Sequence, residues 1–134
     1  MARFNAERIG RVSLRVDAIY CAILGAAIVV AAALIAKGIT LPPLVIALTG
    51  VIVVGWAAAV IALLAHLRLR SALRIVMAVN VLAAVAIAFA AMLTTSALVS
   101  VAVLTIAVDV LLFAVSQGIA LRGLQPDAAA RPAG

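Results

Sequence analysis

Four long apolar runs, separated by short polar or basic segments, make up most of this sequence. A helix that crosses the hydrocarbon core of a bilayer needs about 20 mostly apolar residues, and each run is long enough to do so. The breaks between runs are "KGITLPP", "HLRLRSALR" and "TTSA". The pattern predicts an all-α membrane protein, a four-transmembrane-helix bundle with up-down-up-down topology. The predicted spans are 16–36, 44–65, 73–93 and 98–121.

The segments outside the spans are predicted to lie in the cytoplasm. Residues 1–15 form a basic N-terminal arm, and residues 122–134 form a small, polar, proline-containing tail that is predicted to be disordered. The arm and first span resemble a signal peptide, but the apolar stretch exceeds the usual length of about 7–15 residues. We therefore interpret it as a retained helix, and residues 16–121 as one transmembrane domain.

Composition supports the same class of protein. The chain is 69% hydrophobic and 10% charged, whereas soluble domains are about half apolar and a quarter charged. Its net charge of +6 could suggest nucleic-acid binding. However, the basic residues are confined to segments beside the apolar runs, which is typical of membrane topology signals. The expected partners are therefore the bilayer and its anionic lipid headgroups, and no nucleic acid.

The distribution of basic residues predicts the orientation. Every arginine lies in the N-terminal arm, in the segment after the second span, or after the fourth span, and Lys37 stands alone on the other side. Because cytoplasmic loops carry the excess of basic residues, both termini are predicted to be cytoplasmic.

The two halves of the chain align with each other. "LRVDAIYCAILGAAIVVAAAL" from Leu14 matches "LRIVMAVNVLAAVAIAFAAML" from Leu73, and the second spans end in "ALLAHLR" and "SQGIALR". This favours two parallel helical-hairpin repeats, although unrelated alanine-rich helices also align, so both explanations stay open. Matching the ends of the second and fourth spans places Gly55 at the same depth as Asp109, with Trp56 beside it, roughly 18 Å from the cytoplasmic end. If the fourth helix faces the second, Asp109 is expected to contact both.

Small residues recur at intervals of four in the spans, for example at Ala18, Ala22 and Ala26 with Gly25 alongside. In lipid, close contact between helices relies on such residues. They predict a tightly packed bundle with little central cavity. The same pattern would serve contacts between subunits, so a homo-oligomer or a larger membrane complex stays open.

Placing an ionisable side chain in the middle of a membrane costs at least about 2.5–3.5 kcal/mol of free energy, so such a residue is by default a candidate functional site. Asp109 is therefore the first candidate. Thr105 and Ser116 share its helical face, and Gly55 and Trp56 complete the candidate intramembrane site. Three interpretations compete. Asp109 is protonated and structural, it binds a proton or small cation in transport, or it pairs with a basic or polar group on another subunit.

A second candidate is a polar cluster nearer the predicted cytoplasmic end of the spans. Asn80 and Gln117 are expected to hydrogen-bond to each other. Asp17 is expected to begin the first helix, to complement its dipole and to pair with Arg70 or Arg74. The predicted cluster consists of Asp17, Asn80, Gln117 and Arg74.

The sequence offers no catalytic or cofactor motif. Cys21 is the single cysteine and His66 the single histidine, so we expect no intramolecular disulfide, no metal site and no haem or other cofactor. Neither GxSxG nor HExxH occurs in the chain. The chain is predicted not to be an enzyme.

Three features carry a resemblance: "LRVDA" at the start of the first span, Asn80 early in the third, and "SQGIALRGL" at the end of the fourth. In these features the chain resembles a group of small four-helix integral membrane proteins that are common in actinobacteria and have no assigned activity. The resemblance implies a location in the bacterial cytoplasmic membrane. It singles out Asp17, Asn80 and Gln117 as group features and leaves Asp109 unexplained.

Together these features favour a structural or accessory component that associates with other membrane helices. The alternative is a small proton- or cation-coupled transporter that acts as an oligomer through Asp109.

Overall fold

The structure, a computed structural model, describes residues 2–124, which form four long helices. All four are long and apolar enough to cross a membrane, so the predicted all-α, four-helix fold is confirmed and the chain is a small multi-pass membrane protein. Residues 125–134, most of the tail predicted to be disordered, lie outside the described residues. The helices are α1 (Ala2–Ile35), α2 (Pro43–His66), α3 (Leu69–Ala90, followed by a 3-10 turn at Ala91–Leu93) and α4 (Ala97–Gly123).

The first helix is longer than its apolar run because α1 includes nearly all of the basic arm. Ala6, Gly10 and Leu14 are buried at helical spacing along this segment. A Cβ atom at Gly10 would lie 2.9 Å from the Leu73 side chain, so the arm packs closely on α3. Asp17 therefore lies in the middle of a 34-residue helix. The prediction that it begins the helix and complements the dipole is wrong.

The connections between helices follow from local sequence. Pro43 begins α2, where a proline needs no backbone N–H partner. Ser96 caps α4 by accepting a hydrogen bond from the Val99 N–H at 3.3 Å. The two connections at this end are tied together, because the Thr40 N–H donates to the Leu93 carbonyl at 3.0 Å. The arginines of α1, α3 and α4 gather at the other end, here called the basic end.

The helices pack as two hairpins, α1 with α2 and α3 with α4, which join where α1 packs on α4. Among the described residues α2 scarcely contacts α3 and does not pack against α4. A two-fold repeat would match the α1–α4 contact with an equal α2–α3 contact. The arrangement is therefore asymmetric, and the internal repeat stays a prediction.

The apolar core lies in the basic half of the bundle, where all four helices contribute to it. Trp56, Leu63 and Met77 pack against it from the side. Its buried members are Leu14, Ala18, Val60, Ala72, Leu73, Val76, Ala120 and Leu121.

Further from the basic end, α1 and α2 touch through their backbones. A Cβ atom at Gly25 would lie 2.7 Å from the Gly50 carbonyl oxygen, and one at Gly50 would lie 2.7 Å from the Gly25 oxygen. Only residues without a side chain permit this approach, which brings extensive van der Waals contact in the absence of a hydrophobic force. The small-residue pattern on α1 thus serves an internal contact at Gly25.

We expect Gly25→Ala to lower the free energy of unfolding by about 1–3 kcal/mol, because the added methyl group meets backbone that cannot move without separating the helices. Gly55→Ala is the matched control, since a Cβ atom there meets nothing within 4 Å. It should change stability by no more than about 0.5 kcal/mol. Unfolding by sodium dodecyl sulfate in mixed micelles, followed by circular dichroism, measures both. Equal losses of unfolding free energy in the Gly25 and Gly55 variants would contradict a stabilising role for the Gly25–Gly50 contact.

Candidate functional site

Asp17 is the centre of a buried polar network that joins three helices. Its side chain is 1% exposed, and those of Asn80 and Gln117 are 2% and 0% exposed. Asp17 Oδ2 accepts hydrogen bonds from Asn80 Nδ2 at 2.6 Å and from Gln117 Nε2 at 2.9 Å. Asn80 Nδ2 also donates to Gln117 Oε1 at 3.4 Å, so the predicted hydrogen bond between these two residues is present. The three side chains form a closed triangle between α1, α3 and α4.

The other oxygen of this carboxyl group meets a thiol and no cation. Cys21 Sγ donates to Asp17 Oδ1 at 3.5 Å. Arg74 is exposed, and within residues 2–124 Asp17 forms no ion pair. The predicted pairing with Arg70 or Arg74 is therefore wrong. Arg74 lies six residues, about 9 Å along α3, closer to the basic end than Asn80 does, and its side chain points outward.

This network can hold helices together without binding a ligand. The hydrogen bonds to Asp17 come from amide groups on two different helices, and few other contacts in lipid favour one rotation of a helix over another. An unsatisfied polar group in the same position would cost about 1–3 kcal/mol. The network is consistent with the predicted role of Asn80 and Gln117 in stabilising the bundle.

Asp109 has different surroundings, because its side chain is only half-buried. The Tyr20 hydroxyl donates to Asp109 Oδ2 at 2.9 Å. The Tyr20 ring packs against Phe113 with a centroid distance of 5.4 Å and an interplanar angle of 60°. These residues line an outward-facing groove between α1 and α4, here called the α1/α4 groove. It is lined by Tyr20, Asp109, Leu112, Phe113 and Ser116.

Two of the other predicted neighbours of Asp109 lie along the same outer surface. Thr105 is exposed one turn away, and its hydroxyl donates to the Val101 carbonyl at 2.8 Å. Ser116 lies nearer the basic end, where its Oγ is 2.6 Å from Ser13 Oγ. Both hydroxyl groups already have hydrogen-bond partners.

The structure does not bring Gly55 and Trp56 to Asp109. Both lie on α2, and α1 packs between α2 and α4 in the described part of the chain. Trp56 Nε1 is buried and has no hydrogen-bond partner there. The predicted contact of Gly55 and Trp56 with Asp109 is therefore wrong, because it required the second and fourth helices to face each other and these two helices do not pack together.

Sequence reasoning missed Ser13, Tyr20 and Cys21 as partners of the polar residues. Ser13, Asp17 and Tyr20 follow one another at three- and four-residue spacing, which would place them along one side of a helix. That pattern is visible only if the helix includes the basic arm. Hydropathy alone predicts that the first helix begins near residue 16, which leaves Ser13 outside it. Within residues 2–124 no group of three or more His, Cys, Asp or Glu residues is placed to hold a metal ion.

We expect Asp17→Asn to preserve the network and Asp17→Leu to disrupt it. An asparagine oxygen can accept the hydrogen bonds from Asn80 and Gln117. Leucine leaves the Gln117 amide without an acceptor and leaves the Asn80 amide only its 3.4 Å hydrogen bond to Gln117 Oε1. The leucine variant should lose about 1–3 kcal/mol of unfolding free energy and the asparagine variant less than about 1 kcal/mol. Unfolding in mixed micelles measures the difference. Equal losses would mean that the charge, rather than hydrogen-bond acceptance, maintains the network.

Comparisons with known proteins give no functional assignment. The chain matches no family model, no curated protein and no solved structure.

Proposed function

We propose that this protein is an accessory component of the membrane that binds a helix of another membrane protein along the α1/α4 groove. The observation that carries the proposal is the position of Asp109. Its carboxyl group lies in the middle of α4 on the outer side of the bundle, and it is half-buried rather than sealed inside. A packed partner helix would cover it.

The depth of Asp109 makes such a partner favourable. It lies roughly 18 Å along α4 from Ala97 and about 21 Å from Gly123, near the middle of the helix. Ionisable groups at this depth usually face other protein or water rather than lipid. In the described structure, Tyr20 supplies its one side-chain hydrogen bond. A carboxylate has room for about four.

The chemistry of the groove indicates the kind of partner. A carboxylate that still has acceptor positions is complemented by a lysine or arginine at mid-depth of a neighbouring helix. Within residues 2–124 a second copy of this chain does not offer such a group, because the arginines there lie toward the basic end and Lys37 lies beyond the other end of α1. The proposed partner is therefore a different chain whose helix carries a cation at its centre.

The alternative function uses the same carboxyl group. Asp109 Oδ1 makes no side-chain hydrogen bond within residues 2–124, which favours exchange of a proton or small cation at that atom in an oligomeric transporter. The two functions differ in what Asp109 meets, a fixed cation on a partner helix or a mobile one.

The proposed location is the bacterial cytoplasmic membrane, with both termini in the cytoplasm. The concentration of arginines at the basic end supports this orientation through the positive-inside rule. The apolar length of all four helices supports a multi-pass protein in any membrane of ordinary thickness.

A synthetic helix tests the docking proposal. Two transmembrane peptides of leucine and alanine, identical except for lysine or leucine at the centre, are titrated into vesicles holding the labelled protein. Energy transfer reports binding. We expect the lysine peptide to bind about 5- to 30-fold more tightly, equivalent to about 1–2 kcal/mol. Asp109→Leu should abolish the preference, and Asp17→Asn, altered at a buried carboxyl, should retain it.

Three results would count against docking. Equal binding of both peptides to the unaltered protein would show that the groove does not recognise a cation. Energy transfer between two labelled copies that is lost in Asp109→Leu would indicate a homo-oligomer instead. Proton or cation flux into protein-loaded vesicles that requires Asp109 would establish the transporter.

The orientation has its own test. In a Cys21→Ala background, Thr95→Cys places a thiol at the exposed α3–α4 connection, and Ser71→Cys places one at the exposed basic end. A membrane-impermeant maleimide should label the Thr95 variant in intact cells and the Ser71 variant only after lysis. The opposite pattern would place both termini outside.

A further inference from the structure

A second groove lies at the basic end between the start of α3 and the end of α4, and is here called the arginine groove. Met77, Gly118 and Leu121 form its apolar part. Its rim consists of guanidinium groups from both helices, and no acidic residue lines it. The three arginines are Arg70, Arg74 and Arg122.

The three arginines of this groove form no ion pair within residues 2–124. The one ion pair among residues 2–124 joins Arg3 to Glu7 at 3.9 Å on α1. None of the groove arginines takes part in it. Arg70 Nε is buried and has no hydrogen-bond partner in the same part of the chain. The groove therefore presents guanidinium N–H donors that are available to a ligand.

We propose that the arginine groove is a binding site for an anionic phospholipid. The guanidinium groups would hold phosphate oxygens, for which their planar fork geometry is well suited. Met77 and Leu121 would contact the glycerol and the first acyl carbons. Basic pockets between membrane helices are known sites for headgroups of this kind. Three positive charges best match a headgroup with two phosphates, such as that of diphosphatidylglycerol.

Position distinguishes a lipid from a soluble anion as the ligand. Arg70 and Arg74 are one turn apart on α3, and Met77 follows almost one turn deeper, on the side toward the apolar span. The charged rim and the apolar floor thus follow each other along the membrane normal, as the headgroup and chains of a lipid do. A free phosphate would use the rim alone.

The other basic grooves at this end are less suited to an anion. One is lined by Arg3, Arg11, Arg68 and Arg70, and the other by Arg8, Arg11 and Arg15, but Glu7 lines both. A carboxylate within the groove repels phosphate and competes for the arginines. This difference supplies a matched control, because Arg8 and Arg15 are exposed and carry the same charge as Arg74 and Arg122.

The experiment uses the full-length protein, delipidated in neutral detergent and titrated with diphosphatidylglycerol at fixed ionic strength. Native mass spectrometry counts the bound lipids. We expect the double variant Arg74→Gln/Arg122→Gln to bind the lipid about 10- to 30-fold more weakly. The control Arg8→Gln/Arg15→Gln removes the same charge from one groove that contains Glu7. It should weaken binding less than about 3-fold.

Each other outcome overturns the proposal. Equal weakening by the two double variants would mean diffuse attraction to the whole basic end rather than a site. Displacement of the lipid by millimolar inorganic phosphate would identify a site for a soluble anion. Equal binding of phosphatidylcholine, which is zwitterionic, would show that the arginines do not select the ligand.

Discussion

The hydrogen bonds that Asn80 and Gln117 donate to Asp17 are the constraint on which the rest of the bundle depends. Lipid exerts no hydrophobic force that draws apolar helices together, so packing and polar contacts must specify the arrangement. Rotating α1 by one residue, about 100°, would carry this carboxyl group out of reach of both amides. The network therefore fixes the rotation of α1 relative to α3 and α4, and the Gly25–Gly50 contact fixes α2 against α1.

The two carboxyl groups within the membrane spans, those of Asp17 and Asp109, have different surroundings. Asp17 lies inside, among donors from two other helices, and its hydrogen bonds are made within the chain. Asp109 lies on the outside, with Tyr20 as its side-chain partner and part of its surface uncovered. A satisfied buried group stabilises a fold, whereas a partly satisfied outward one gains free energy from a further contact. This contrast directs the proposed docking to Asp109.

The outer surface of the bundle offers distinct chemistry at two depths. The α1/α4 groove has a carboxyl group near the middle of the helices, and the arginine groove has guanidinium groups at their basic end. They lie on opposite edges of α4, because Arg70 and Arg74 come from α3 while Tyr20 comes from α1. A partner helix in one groove and a lipid in the other would not compete for space. Both proposals fit a small protein that organises its neighbours in the membrane.

The sequence by itself determined the number of spans, the breaks that contain Pro43 and Ser96, and the gathering of arginines at one end. Each of these depends on local composition: the length of an apolar run, a helix-breaking or capping residue, and a charge that hydrocarbon excludes. Only the tertiary structure decided that α1 lies between α2 and α4, so that Asp109 meets Tyr20 and not Trp56. A helix that is apolar on all sides carries no signal of which face turns inward, and hydropathy cannot supply that rotation.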